Sequence, residues 1–159
     1  MNSDLIPDRI EYGDRELSLS DLREDPMEVL RAWLAEAVEV GIPEANAVCL
    51  ATADAEGYPD SRIVLVKDVE PEGLVFFTNY ESCKGRQLAV KPFASMVFWW
   101  QALRRQVRLK GAVAPIPAEH SDHYFASRPR DSQLGAWASL QSAPVSSRRA
   151  FVERLEEVE

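Results

Sequence analysis

Four stretches of the chain concentrate residues able to hold an anion. RIVLVK, residues 62–67, is an apolar run bracketed by Arg62 and Lys67. Their odd separation on a strand sends them to opposite faces, and they also read as snorkelling ends. TNYESCKGR, residues 78–86, follows the apolar run GLVFF. Its hydroxyls, the N–H groups of a helix start, and Lys84 and Arg86 are what a phosphate requires, although the G-x-x-x-x-G-K pattern of a Walker loop is absent. Solvated cations on a capped helix are the plainer alternative. RRQVR, residues 104–108, sets cations and an amide beside the aromatic run FWW. It suits a flat heterocycle with an anionic tail, single-stranded nucleic acid, or a hairpin with exposed arginines. In residues 124–142, YFASRPRDSQLGAWASLQS, Tyr124 and Arg128 share a helical face. A new helix opened by Asp131 or Ser132 supplies a second phosphate seat, and Trp137 is expected in the core.

No Ser-His-Asp or Cys-His arrangement presents itself, so a borrowed cofactor explains chemistry here better than an activated side chain does. His120 and His123 form an H-x-x-H pair without a supporting ligand framework and are expected on the surface. Cys49 and Cys83 match neither a zinc motif nor a disulfide scaffold. The net charge of -8, from 18 basic and 26 acidic residues, argues against a general nucleic-acid binder. Its distribution is uneven. Residues 82–117 carry no Asp or Glu but seven cations, against 11 basic and 26 acidic residues elsewhere. Such a block focuses field on one small anion without attracting polyanions.

The elements that must carry these residues are legible in outline. Asp25 is a cap, Pro26 suits the first helical position and Glu28 completes a capping box. Met27, Leu30, Trp33, Leu34, Ala37 and Val38 then recur at helical spacing until Gly41 and Pro43. Residues 47–53, 62–67, 73–78, 94–100 and 106–114 read as five strands, with a short helix over 82–90 between the third and fourth. That spacing predicts a closed or nearly closed antiparallel barrel. Residues 117–127, 131–139 and 146–158 read as three closing helices, the last running to Glu159 without a stop signal, so a shortened chain is expected.

At 159 residues the chain fits one domain with a sizeable core, taken as residues 25–159 behind an arm over 1–24. An apolar fraction of 46% and a charged fraction of 28% exclude a disordered chain. No apolar run approaches a membrane span, and residues 1–16 lack the apolar centre of a signal peptide. A soluble cytoplasmic protein is expected.

RIVLVK, FFTNYESCKG, LRRQVRLKG, YFASRPRDSQLGAWAS and the following QS, in this order, resemble the pyridoxine/pyridoxamine 5'-phosphate oxidases. The resemblance runs from about Arg9 to the chain end. It implies an FMN-binding split β-barrel, mainly β with flanking helices, and a homodimer with FMN at its interface. It also implies oxidation of pyridoxamine or pyridoxine 5'-phosphate to pyridoxal 5'-phosphate, with dioxygen as electron acceptor and hydrogen peroxide as by-product. Carried onto this sequence, the FMN contacts fall on Arg62, Ile63, Val64, Leu65, Val66, Lys67, Phe77, Thr78, Lys84, Gln106, Gln141 and Ser142. The substrate phosphate falls to Lys67, Tyr124, Arg128 and Ser132, with Arg9 to Tyr12 in a lid. Cys83 stands where many members carry an arginine, and Phe77 where a tyrosine is commoner. The family's catalytic Arg and His belong to a segment of about fifty residues beyond Glu159, so no side chain here is assigned as general base. A phenazine-biosynthesis flavin oxidase and a non-catalytic FMN- or B6-phosphate-binding protein are the competing readings.

Overall fold

The structure, a computed structural model, describes residues 17–18, 21–22 and 24–159. The expected lid residues Arg9 and Tyr12 lie outside them. Helix α1 (Pro26–Glu39) starts where Asp25 accepts a hydrogen bond from the Met27 N–H, and ends as Gly41 turns left-handed at φ 77°. Strands β1 (Ala47–Ala53) and β2 (Pro59–Glu70) form a hairpin whose turn needs Gly57 at φ 97°. β3 (Gly73–Phe76) follows, then α2 (Cys83–Val90), β4 (Phe93–Trp100) and β5 (Arg105–Ala112). Helices α3 (Ala118–Ser127), α4 (Arg130–Ala138) and α5 (Arg148–Val158) complete the chain.

The sheet is antiparallel in the order β3-β2-β1-β4-β5. It bears out the expected antiparallel split barrel with flanking helices. In one chain the sheet curls into half a barrel, and among the described residues β3 and β5 remain its edges. Connection lengths explain the order: short turns make the β1–β2, β2–β3 and β4–β5 hairpins, while α2 carries the chain across to place β4 beside β1.

The concave face holds the core. Val48 and Leu50 of β1, Val66 and Val69 of β2, and Met96, Phe98 and Trp100 of β4 pack against Leu30 and Ala37 of α1. Each large side chain so buried contributes about 1.5–3 kcal/mol. Trp100 satisfies its indole N–H on the Ala45 carbonyl at 2.8 Å. Polar ties fix α1 to the sheet: Arg31 Nε donates to the Val69 carbonyl at 2.8 Å, and Arg105 pairs with Glu36 at 2.7 Å while lying 4.4 Å from the Trp33 ring. Among the described residues no helix is long and apolar enough to cross a membrane.

Candidate functional site

A cleft of about 560 Å³ runs along one side of β2. It exists because β2 is longer than its neighbours on that side. β1 pairs with residues 59–65 of β2, whereas β3 pairs only with Val66 to Glu70. Along residues 59–65 the second edge of β2 therefore faces the cleft. The Val66 N–H donates to the Asn46 carbonyl at 2.9 Å, and antiparallel alternation from that point turns the backbone groups of Ser61, Ile63 and Leu65 outward. An edge collects residues of both parities. Arg62, Ile63, Val64, Leu65 and Lys67 all line the cleft, so Arg62 and Lys67 share it despite their odd separation. The pairing register also shifts between Val66 and Asp68, displacing Lys67 from strict alternation.

One end of the cleft is built by α2 packed on β1 and β2. Ser82 caps α2, its Oγ accepting from the Gly85 N–H at 3.2 Å. Lys84, buried at 8% exposure, donates from Nζ to Ser82 Oγ at 3.3 Å and to Gln141 Oε1 at 2.8 Å. Burial first, and the neighbouring Arg62 charge second, hold its ammonium pKa below the usual lysine value. Arg62 donates to Thr52 Oγ1 at 2.6 Å, to Gln87 Oε1 at 3.3 Å and to Asp60 Oδ2 at 2.5 Å. The Thr52 hydroxyl in turn donates to Gln87 Oε1. Arg62 lowers the Asp60 pKa, chiefly by its charge. The Thr78 Oγ1 is sealed from water in the cleft wall without a hydrogen-bond partner. A buried donor left unpaired is the mark of a missing acceptor.

The other end is aromatic. The Phe77 and Tyr124 rings stack at 3.8 Å with 6° between their planes, and Lys67 Nζ lies 5.8 Å from the Tyr124 centroid. Arg62 and Lys67, five residues apart on extended chain, are separated by roughly 16 Å of strand.

Of the residues expected at the site, Arg62, Ile63, Val64, Leu65, Lys67, Phe77, Thr78, Lys84, Tyr124, Gln141 and Ser142 line this cleft. Ser142 does so from a left-handed backbone at φ 67°. Val66 points into the core instead and is 3% exposed. Gln106 lies on β5, exposed, beyond β1 and β4 from the cleft. Arg128 and Ser132 are not in the wall. Pro129 forces its predecessor out of the helix, so Arg128 is extended at ψ 149° and no longer shares a helical face with Tyr124; its guanidinium lies 5.8 Å from the Phe125 ring. Trp137 is corrected from core to surface: it is 70% exposed, because α4 buries Leu134 and Ala138 and turns Trp137 away, edge-on to Phe125. His120 and His123 are exposed, and no cluster of metal-binding side chains occurs among the described residues. Sequence reasoning missed Asp60, Thr52 and Gln87. Only Asp60 left a signal, two residues before Arg62 and so on the same strand face.

The family profile described as Pyridoxamine 5'-phosphate oxidase matches residues 34–159. The pyridoxine/pyridoxamine 5'-phosphate oxidase of Chromohalobacter salexigens is 46% identical over the whole chain, which spans 74% of that relative. That of Thermosynechococcus vestitus is 50% identical over 95% of this chain and 72% of its own length. Among solved structures, PhzG from Burkholderia lata, crystallised with tetrahydrophenazine-1-carboxylic acid, superposes with a TM-score of 0.83 at 28% identity, covering 87% of this chain and 69% of PhzG. A pyridoxamine 5'-phosphate oxidase-related, FMN binding protein from Nostoc punctiforme shares the fold at a TM-score of 0.62 and 18% identity, covering 82% of this chain and 73% of that one. FMN is the cofactor these likenesses imply, and the cleft fits it: buried Lys84, half-buried Arg62 and the orphaned Thr78 hydroxyl are donors for a phosphate, and the open β2 edge offers backbone groups to a flat ring. With profile, relatives, split-barrel sheet and cleft chemistry in agreement, this chain belongs to the pyridoxamine 5'-phosphate oxidase family of FMN-binding oxidases.

Proposed function

We propose that this protein oxidises pyridoxamine 5'-phosphate and pyridoxine 5'-phosphate to pyridoxal 5'-phosphate, with dioxygen as final acceptor and hydrogen peroxide as by-product. The observation that carries the reading is a single cleft with cations at both ends, Arg62 and Lys84 at one and Lys67 beside Tyr124 at the other. Two phosphorylated partners need two anion seats. FMN, when bound, supplies the two-electron acceptor. Arg62, Lys84 and Thr78 hold the flavin phosphate by charge-assisted hydrogen bonds. Lys67 and Tyr124 orient the substrate by its phosphate, so binding energy far from the reacting carbon sets the angle of approach.

The working unit is proposed to be a homodimer. Ile63 and Trp99 are 66% and 53% exposed, and the register Ile63–Cys49–Val97 sets them in a continuous apolar outer face. A second copy covering that face would also bury Gln106, the cross-strand neighbour of Trp99.

The test is the absorption spectrum of the purified protein before and after anaerobic addition of pyridoxamine 5'-phosphate. Bleaching of the yellow flavin band is expected. A flavin-loaded protein that stays yellow refutes the oxidase reading. The likeness to PhzG favours a second reading, oxidation of a dihydrophenazine. Bleaching by that compound and not by pyridoxamine 5'-phosphate would establish it.

A further inference from the structure

Arg62 reaches the cleft already oriented and already neutralised, by different groups. Nη1 donates to Thr52 Oγ1 at 2.6 Å and to the Leu50 carbonyl at 3.4 Å, and Nη2 donates to Gln87 Oε1 at 3.3 Å. These three uncharged acceptors, on β1 and α2, are enough to fix the guanidinium plane. The fourth contact differs in kind: Nη2 meets the Asp60 carboxylate at 2.5 Å. Asp60 follows the same strand face, lines the same cleft and has a side chain 48% exposed against 19% for Arg62. It is therefore free to swing into solvent while Arg62 stays. A carboxylate resting in a seat built for an anion is a competitor for it.

We infer that Asp60 is a displaceable counter-anion of the flavin-phosphate seat, occupying Arg62 in the flavin-free chain and yielding it when the phosphate arrives. Asp60 thereby sets how far FMN is preferred over riboflavin, which lacks the phosphate. The inference rests on the reading of Arg62 and Lys84 as the phosphate end of the cleft.

Cys83 meets the same carboxylate: it opens α2 beside Lys84, and its S–H donates to Asp60 Oδ2 at 3.7 Å.

The experiment uses the full chain stripped of flavin, titrated with FMN and with riboflavin by quenching of flavin fluorescence. The unaltered chain is compared with Asp60→Asn and Arg62→Ala. Asparagine keeps an oxygen acceptor for Arg62 and removes the charge, so FMN should bind about three- to tenfold more tightly, with riboflavin unchanged. FMN affinity unchanged or weaker in Asp60→Asn, or riboflavin shifting in step with FMN, overturns the inference. If Arg62→Ala also leaves FMN affinity intact, the seat itself is misplaced; if Arg62→Ala loses FMN, the seat stands and only the role of Asp60 fails.

Discussion

Replacing Thr78 with Val should move stability and cofactor affinity in opposite directions. The Thr78 Oγ1 is sealed in the cleft wall with no partner, and a buried unpaired polar group costs about 1–3 kcal/mol. Valine keeps the branched shape and removes that cost. In the flavin-free chain, where 1 kcal/mol moves the melting temperature of a domain this size by roughly 2–4 °C, the variant should melt about 2–12 °C higher. With FMN the sign reverses. A hydrogen bond to a charged phosphate contributes roughly 1.5–3 kcal/mol, so its loss should weaken FMN binding about tenfold to a hundredfold. The melting-temperature rise produced by a fixed FMN concentration should shrink accordingly. Thermal melts with and without FMN, joined to a fluorescence titration, read both effects. A flavin-free Thr78→Val chain that melts lower, with FMN affinity unchanged, would refute the assignment of this hydroxyl to the cofactor.

Lys84 makes FMN affinity depend on alkaline pH. Its pKa lies below the ordinary 10.5, chiefly through burial, and a phosphate restores the ammonium, so affinity should fall as pH rises through the lowered pKa. Stability of the flavin-free chain should rise over the same interval up to the unfolded value, because there the unfolded chain binds the extra proton; Lys84→Met should abolish both trends. Trp100→Phe removes the bond to the Ala45 carbonyl and opens a void beside Phe98, costing roughly 2–3 kcal/mol in a denaturant titration. Trp99→Glu places a charge on the apolar outer face and should yield a monomer of weakened FMN affinity in sedimentation; a flavin-loaded dimer would overturn the interface assignment.

The elements were legible because their signals are local. β1 occupies residues 47–53 as its apolar alternation implies, and α1 begins at the cap and proline that announce it. β2 extends from 59 to 70, twice the expected run, because its polar flanks lie at an exposed turn and a half-covered edge where polarity says little about strand content. That the curl stops short of closure was legible from the family resemblance, and not from alternation by itself. Hydrophobic alternation specifies that a face is covered, and an open half-barrel with an apolar outer face satisfies that demand as well as a closed one.

The cleft shows the same division between chain-local and register-dependent information. Lys84, Thr78 and Ser82 could be found because a strand end running into a capped helix is a readable anion seat. Thr52 and Gln87 could not. They reach Arg62 only because the pairing of Leu50 with Arg62 and of Thr52 with Asp60 sets β1 one way against β2, and because α2 lies over that pair. A register slip by one residue would turn Thr52 to the opposite face of the sheet. Arg62 is therefore positioned by register and left chargeable by sequence. Orientation comes from neutral acceptors on neighbouring elements, while the charge balance comes from Asp60 two residues away on its own strand. Asp60 can then change without unseating Arg62, whereas a change at Thr52 or Gln87 cannot leave the guanidinium where it is.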